Sequence, residues 1–221
     1  MRPVLIIPAR KGSIRLPGKN LLPIKGLPLI EHSINYALKN QDLLERIIIT
    51  TDDPQVKELA KAKGCEVVDR PTEFSTSFSP VTEALKHTLE VLNINGKKII
   101  LLQATNPLRP ESLLKEAIKK LGDSDSDSLM TVTRSFHKLG KIEKGFFSPL
   151  NYELSQRSQD LEPLYYENGL LYITNSQFIL RDQLMGDKIF PFVVDHPGAD
   201  LDIDDISDFE YAQFLLEKEN L

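Results

Sequence analysis

The chain has few of the features that mark secreted, membrane or nucleic-acid-binding proteins. Its 221 residues include one cysteine, Cys65, which excludes an internal disulfide framework and favours a reducing compartment. No apolar run approaches the ~18 residues of a membrane span, and the N-terminus has no signal-type pattern. The net charge of −5 argues against a broad surface for nucleic acid or anionic lipid. We therefore expect a cytoplasmic protein with no nucleic-acid or membrane partner.

Several common catalytic patterns are also missing. The four histidines have no metal-ligand spacing, and no Ser-His-Asp arrangement can be argued from the sequence. The glycines of the basic N-terminal segment fit neither GxxxxGK[ST] nor GxGxxG, so neither a P-loop ATPase nor a Rossmann dehydrogenase is supported. Cys65 lies between Gly64 and Glu66, where a small buried residue at the start of a strand is favoured over a nucleophile.

Short apolar runs alternate with helical periods along most of the chain. Hydrophobic residues make up 41% of it, enough for the core of one α/β domain over residues 1–221. Continuous apolar strands separated by helices predict an α/β fold with a mostly parallel sheet covered on both faces. The predicted strands are 4–7, 46–51, 66–68, 98–102, 128–133, 169–173 and 190–194. The predicted helices are 28–38, 56–62, 81–92, 112–121 and 208–221.

The alternation breaks between residues 135 and 167. This segment is irregular, rich in Lys, Gly and polar residues, and carries the aromatic residues Phe136, Phe146, Phe147 and Tyr152. We interpret it as hairpin-like strands and a loop that project from the domain, with exposed aromatic residues suited to a partner surface. A long solvent-exposed loop is the alternative.

A basic segment directly follows the first strand, at residues 8–20. Its thirteen residues hold four cations, two glycines and two prolines in a chain that is acidic overall. Glycine lets backbone amides approach an anion, and neighbouring Arg and Lys neutralise its charge. The segment therefore predicts a polyphosphate site, and a solvated connector is the alternative. The candidate residues are Arg10, Lys11, Gly12, Ser13, Lys19 and Asn20.

Polar residues also follow other strands. Gln103, Thr105 and Arg109 follow the strand that ends at Leu102, and ligands bind at the carboxyl ends of strands in open α/β sheets. Arg70 ends another strand, where it would reach a base or a phosphate. The Asn168-Gly169 pair is explained either by a turn or by ligand contact.

A third constellation is acidic: Asp200-Leu-Asp-Ile-Asp-Asp205, in which Asp202 and Asp204 alternate. Two carboxylates at i and i+2 face one side of an extended segment, and together they can hold Mg²⁺ whose remaining ligands are phosphate oxygens. Helix capping competes with this interpretation, because Ser207 and Glu210 fit a capping box. Such a cap does not account for Asp202 and Asp204. Asp52 and Asp53 precede Pro54 and are interpreted as a helix cap.

In order, these motifs resemble the acylneuraminate cytidylyltransferases, or CMP-sialic acid synthetases, a family that includes CMP-legionaminic and CMP-pseudaminic acid synthetases. The similarity is carried by IPARKGSxRLPxKN at 7–20, TTDD at 50–53, VVxRP at 67–71, LLQxTxPLR at 101–109, NGxxYI at 168–173 and DID at 202–204. Six motifs in this order are far more specific than any one of them.

The resemblance implies a three-layer αβα, Rossmann-like nucleotidyltransferase fold. It also implies a homodimer in which the protruding 135–167 arm helps to complete the neighbour's sugar site. The implied reaction joins CTP and a nine-carbon α-keto acid sugar to give the CMP-sugar and pyrophosphate. The implied triphosphate residues are Arg10, Lys11, Gly12, Ser13, Lys19 and Asn20, with Arg70 near the nucleotide. The implied sugar residues are Gln103, Thr105, Arg109, Asn168 and Gly169. The implied Mg²⁺ ligands are Asp202 and Asp204.

The chemistry of that reaction agrees with the residues. A sugar hydroxyl attacks the α-phosphorus, and charge grows on the phosphate oxygens, where Arg10, Lys19 and Mg²⁺ would stabilise it. Asn20 would donate to the α-phosphate, and Asp202 or a metal-bound water would accept the proton. The alternatives are a 3-deoxy-manno-octulosonate cytidylyltransferase and a silent nucleotide-binding regulator.

Three positions depart from the family pattern. Residues 75–80 hold no Asp, Arg157 is separated from Gln-Asp by Ser158, and the Tyr-Tyr-Glu run at 165–167 stands where sialate enzymes often carry a basic residue. Because two of these departures lie near the sugar, a legionaminate-type or pseudaminate-type acceptor is compatible with the sequence.

Overall fold

A computed structural model describes residues 2–76 and 78–218, in which a central sheet is covered by helices. The strands are β1 (Val4–Pro8), β2 (Pro23–Ile24), β3 (Leu27–Pro28), β4 (Arg46–Thr51), β5 (Glu66–Asp69), β6 (Lys98–Leu101), β7 (Ser128–Ser135), β8 (Gly140–Glu143), β9 (Phe146–Pro149), β10 (Leu164–Asn175) and β11 (Ile189–Val193). The helices are α1 (Leu29–Lys39), α2 (Pro54–Ala62), α3 (Val81–Val91), α4 (Leu113–Gly122), α5 (Ser176–Ile179) and α6 (Ile206–Lys218).

Seven strands of the described residues form the sheet, in the order β11-β7-β10-β6-β1-β4-β5. Strand β1 pairs in parallel with β4 and β6, β4 with β5, and β7 with β11. Strand β10 runs antiparallel to both of its neighbours, β6 and β7. The prediction of a mostly parallel α/β sheet is confirmed. Because β10 is reversed, Leu164 to Glu167 pair with the carboxyl end of β7, and Tyr172 pairs with Leu101 at the carboxyl end of β6.

The sheet is buried on both faces, as its apolar runs predict. Leu5, Ile6 and Ile7 are inaccessible to solvent, and successive side chains enter separate apolar clusters on the two faces. Cys65 is a buried member of one of these clusters. No helix among the described residues is long and apolar enough to cross a membrane.

Of two helix caps considered from the sequence, the structure confirms the one at α2 and corrects the one at α6. Asp53 caps α2, because its side chain accepts a hydrogen bond from the Gln55 N–H and Pro54 opens the helix. The predicted cap of α6 was wrong: Asp205 accepts from the N–H groups of Ser207 and Asp208, so the cap lies two residues earlier than Ser207. The predicted helix end at 219–221 lies outside the described residues.

The 135–167 segment leaves the sheet between β7 and β10. Strands β8 and β9 form an antiparallel hairpin whose Ile142 and Phe146 side chains are each 78% exposed. The last part of the predicted arm belongs to β10, because Leu164 to Glu167 pair with β7. Neither helix α5 nor the short β2–β3 pairing was predicted from the sequence.

Candidate functional site

The basic segment and the turns after β5 and β6 enclose a cleft of about 240 Å³, here called the basic cavity. It lies where the carboxyl ends of β1 and β6 meet, which parallel pairing brings side by side. Seven of the predicted site residues line it: Arg10, Ser13, Lys19, Asn20, Arg70, Gln103 and Thr105.

Contacts with neighbouring loops set the path of the basic segment. The Lys11 N–H donates to Asp52 Oδ1 over 2.8 Å, and Asn20 Nδ2 donates to the Arg10 carbonyl over 2.9 Å. The Arg10 guanidinium donates to the Thr76 carbonyl, at 2.7 Å. Gly18 precedes a 3-10 turn at Lys19–Leu21 with φ +68°, a left-handed conformation that glycine adopts without strain. Of the four cations in the segment, Arg10 and Lys19 line the basic cavity.

Arg70 forms the edge of the basic cavity. Its side chain is buried, and both its Nε and its Nη2 donate to the Phe74 carbonyl, with a distance of 2.7 Å for Nε. Burial lowers the pKa of Arg70, and the carboxylate of Asp52 partly offsets this effect. Arg70 therefore supports the turn over the cavity as well as lining it.

A second cleft of about 380 Å³, here called the acidic cavity, adjoins the first. Strand β10 supplies one wall, and residues 200–202 supply another. Its lining residues are Gln103, Tyr166, Glu167, Asn168, Gly169, Tyr172, Asp200 and Asp202. Three of them are carboxylates, so this cleft has the opposite charge to the basic cavity.

Tyrosines hold two of these carboxylates. The Tyr166 hydroxyl donates to Asp200 Oδ1 over 2.5 Å, and the Tyr172 hydroxyl donates to Glu167. Burial and the bond to Asp200 raise the pKa of Tyr166 to about 12. Burial and the bond to Glu167 likewise raise the pKa of Tyr172 well above its usual value. Both tyrosines therefore remain protonated donors at neutral pH.

Gln103 lines both cavities and so marks the point where they meet. Gly169, at φ +73°, lies directly opposite: a Cβ atom there would stand 3.2 Å from Gln103 Nε2. Asn168 donates to Thr133 Oγ1 over 3.1 Å, and its own Oδ1 accepts from the Leu170 N–H. Strand β10 is therefore fixed against Gln103 with little space between them.

The D-I-D segment alternates as an extended strand does. Leu201 and Ile203 are buried in an apolar cluster, whereas Asp202 is exposed and Asp204 half-buried. Asp204 pairs with Arg15 and, at 3.0 Å, with Lys19. Partial burial raises the pKa of Asp204, but the hydrogen bond from Lys19 and the charges of Lys19 and Arg15 outweigh it, so the net pKa is lowered.

The carboxylate oxygens of Asp202 and Asp204 are ligands that suit Mg²⁺. Within residues 2–76 and 78–218 there is no group of three or more His, Cys, Asp or Glu side chains that could hold an ion. Mg²⁺ is commonly bound by one or two carboxylates together with water and substrate phosphates, so two carboxylates beside a basic cavity fit it. Neither side chain serves the cap of α6, which Asp205 and Asp208 form.

Besides Asp204, which pairs with Lys19 at the border of the basic cavity, three predicted residues lie outside both cavities. The Arg109 side chain is buried and donates to main-chain carbonyls and to Ser33, so the expectation of a direct substrate contact finds no support in its position. Lys11 contributes its main-chain N–H to the loop, and its side chain is exposed, as is Gly12. These residues shape or border the site rather than line it.

Sequence reasoning missed Tyr172 and Asp200, and it gave Asp52 the wrong role. Tyr172 falls within the NGxxYI motif, but period-2 alternation could not have placed it, because the pairing of β10 with β7 is irregular between Glu167 and Tyr172. Asp52 anchors the basic segment instead of capping α2. No local pattern predicts that contact, because its partners are 41 residues apart.

Comparison with known proteins identifies cytidylyltransferases as relatives over nearly the whole chain. The cytidylyltransferase family profile matches residues 4–221. N-acylneuraminate cytidylyltransferase of Streptococcus agalactiae serotype III is 34% identical over 189 residues, which are 83% of this chain and 46% of that protein. Pseudaminic acid cytidylyltransferase of Campylobacter jejuni strain 81-176 is 30% identical over 226 residues, 97% of this chain and 96% of that protein. The chain spans about half the length of the N-acylneuraminate cytidylyltransferases that it matches.

Solved structures show the same fold at low sequence identity. A CMP:2-keto-3-deoxy-manno-octonic acid synthetase complexed with CTP superposes with a TM-score of 0.73 at 20% identity, covering 99% of this chain and 100% of that one. A 4-diphosphocytidyl-2C-methyl-D-erythritol synthase gives 0.69 at 13% identity, covering 97% and 99%.

Proposed function

The chain belongs to the cytidylyltransferase family, and from this premise we propose that it transfers CMP from CTP to the anomeric hydroxyl of a sialic-type, nine-carbon α-keto acid sugar. Pyrophosphate is the second product. The sialate, pseudaminate and legionaminate names of its relatives support this acceptor class. The observation that carries the proposal is the pair of adjoining cavities with Gln103 between them.

The basic cavity suits the triphosphate. Arg10 and Lys19 line it and bring positive charge to the carboxyl end of β1, and Ser13 and Asn20 add neutral hydrogen-bonding groups. Cations fixed in place before the reaction stabilise charge that develops on phosphate oxygens without further reorganisation. We assign the base to the side bounded by Arg70, beyond the triphosphate residues.

The acidic cavity suits the polyhydroxylated acceptor. Gln103, Asn168 and the two tyrosines offer donors and acceptors for hydroxyl groups, and residues with fixed side chains discriminate such groups best. In the transfer step, a new bond forms between the sugar oxygen and the α-phosphorus while the bond from the α-phosphorus to the bridging oxygen breaks. The hydroxyl proton would pass to Asp202, an exposed carboxylate of this cavity, or to a water on the metal that Asp202 would help to hold.

We propose that Asp202 and Asp204 hold Mg²⁺ with the phosphates of CTP. When bound, the ion would neutralise charge on the phosphate oxygens and orient them. Asp204 already faces Lys19 and Arg15, so it also sets where those two cations lie. Binding of a nucleotide would draw Lys19 toward phosphate and release Asp204 for the metal.

We also propose a cytoplasmic homodimer. The acidic cavity has no Lys or Arg among its lining residues, although the acceptor carries a carboxylate. The hairpin arm carries the exposed cations Lys138, Lys141 and Lys144, and we propose that the arm of one subunit reaches the acidic cavity of its partner. Deleting residues 140–160 should give a folded monomer with weak acceptor binding, measured by sedimentation and by acceptor KM. A dimer after deletion would contradict the role of the arm.

The proposed reaction is tested by release of pyrophosphate from CTP, with and without Mg²⁺. The acceptor panel contains N-acetylneuraminic, legionaminic and pseudaminic acids and the eight-carbon 3-deoxy-manno-octulosonic acid, and ATP and UTP serve as donor controls. We expect turnover with CTP, Mg²⁺ and at least one nine-carbon acid. Turnover with the eight-carbon acid alone would indicate a 3-deoxy-manno-octulosonate cytidylyltransferase instead. Binding of CTP without turnover of any sugar would indicate a regulator.

A further inference from the structure

Arg109 makes an unusual set of contacts directly behind Gln103. Its Nε donates to the Leu170 carbonyl at 2.9 Å, and its Nη2 donates to the Gln103 carbonyl at 2.5 Å. Its Nη1 donates to Ser33 Oγ at 2.9 Å and to the Asn106 carbonyl. A single buried guanidinium therefore ties the turn after β6 to strand β10 and to helix α1.

These contacts converge on the wall between the two cavities. Ser33 Oγ also donates to the Gln103 carbonyl over 3.1 Å, so two donors hold that one oxygen. Leu170, held by Arg109 Nε, directly follows Gly169, which lies opposite the Gln103 amide. The main chain on both sides of the Gln103–Gly169 contact is thus fixed by Arg109.

The charge of Arg109 is also unusual for a buried site. The ion pairs of the described residues do not include it, and its acceptors are three carbonyls and one hydroxyl. Burial lowers the pKa of Arg109 to about 10, with Tyr36 and Asp202 opposing the shift, so it remains charged at neutral pH. Keeping a buried, unpaired cation is costly unless its hydrogen bonds are needed.

We propose that Arg109 is a positioning residue that holds Gln103 in reach of both substrates while touching neither of them. This proposal depends on the proposed function in one respect: it assumes that CTP binds in the basic cavity and the acceptor in the acidic cavity. Lys cannot replace Arg109, because one ammonium group cannot direct donors in a planar fork toward three separate elements. The role differs from the direct substrate contact expected from the sequence.

The test is a double-mutant cycle with Arg109→Lys, Gln103→Ala and the double variant. If Arg109 acts through Gln103, each single change should lower kcat/KM by about 10- to 100-fold, with the larger rise in the acceptor KM, and the double variant should be little worse than Gln103→Ala. Multiplicative losses in the double variant would overturn the proposal. Arg46→Lys is the matched control, because Arg46 joins β4 to β5 through Glu66 and should leave kcat/KM unchanged.

A second readout does not require turnover. In a ¹⁵N-labelled protein, the Gln103 side-chain amide signals are identified by their loss in Gln103→Ala, and they should shift or broaden in Arg109→Lys but not in Arg46→Lys. Unchanged amide signals would contradict the proposal even if the enzyme assay failed for every sugar. If Arg109→Lys does not fold, Ser33→Ala takes its place, since it removes one contact of Arg109 and one donor to Gln103. Unmoved Gln103 signals in Ser33→Ala would then be the contradicting result.

Discussion

The two cavities meet at one side chain but are built in opposite ways. The basic cavity is formed mainly by an irregular segment. Two distant acidic residues hold this segment: Asp52 accepts from the Lys11 main chain, and Asp204 pairs with the Lys19 side chain. The acidic cavity is formed mainly by residues 166–172 of strand β10, around its irregular pairing with β7, and tyrosines hold two of its carboxylates. Under the proposed assignment, charge is the main requirement in the basic cavity, where CTP would bind, and shape is the main requirement in the acidic cavity, where the sugar would bind. Changes of charge should therefore affect CTP most, and changes of shape should affect the sugar.

Lys19→Met should have the largest effect. It removes a cation that lines the basic cavity, and loss of one preorganised donor to developing charge typically costs about 100- to 1,000-fold in kcat. The measurement is steady-state pyrophosphate release with CTP varied. Lys97→Met, which breaks an exposed pair with Glu45, is the control and should change kcat/KM less than about twofold. Near-normal turnover in Lys19→Met would contradict the claim that charge is the main requirement in the basic cavity.

Asp204→Asn should come next. The change leaves the apolar partners Leu201 and Ile203 in place, so the protein should fold, but it removes a charge that organises Lys19 and Arg15. We expect turnover to fall by about 100-fold and its dependence on Mg²⁺ to weaken. Titration of activity with Mg²⁺ measures both. Unchanged activity would contradict a role for residues 202–204 in binding Mg²⁺ and would leave them as a connection to α6.

Gly169→Ala should separate shape from charge. The new Cβ would lie 3.2 Å from Gln103 Nε2, so the acceptor KM should rise by about 10-fold or more while the CTP KM changes little. Gly96→Ala is a close control, because Gly96 also has positive φ, +67°, but has open space around it.

Both glycine variants should lose about 1 kcal/mol of folding stability, since Ala is strained at positive φ. Urea denaturation measures that loss. An equal rise of the acceptor KM in the two variants would show that strain, rather than contact with Gln103, is responsible.

Tyr172→Phe should have the smallest effect of the four. It removes the hydroxyl that donates to Glu167 but keeps the buried ring. Because Glu167 is exposed and water can replace the lost donor, we expect the acceptor KM to change by less than about 10-fold, with no change for CTP. The exposed Tyr211 provides a control as Tyr211→Phe. A larger effect on CTP than on the sugar would reverse the assignment of the cavities.

Much of the fold was predictable because its signals are local. The apolar runs at Val4–Ile7 and Arg46–Thr51 identify buried strands, and Asp53-Pro54 identifies a helix start. The family resemblance read from six motifs is confirmed by the match over residues 4–221. The antiparallel direction of β10 was not predictable, because an apolar strand has the same pattern in either direction.

The sequence indicated which candidate residues lie together where they follow strand ends, but not where their contacts are long-range; their roles stay predictions. Ser13 and Thr105 lie in the basic cavity because the carboxyl ends of parallel strands converge. Arg109 sits only a few residues from Gln103 but points into the core, and sequence spacing does not determine that direction. The pairing of Lys19 with Asp204 spans 185 residues and requires the folded chain.

The most direct test is a crystal structure of this protein with its CMP-sugar product. The account predicts the phosphate beside Arg10 and Lys19, the sugar against Asn168 and Gly169, and the Gln103 amide between them. A sugar bound outside the acidic cavity, or a phosphate distant from Lys19, would contradict it.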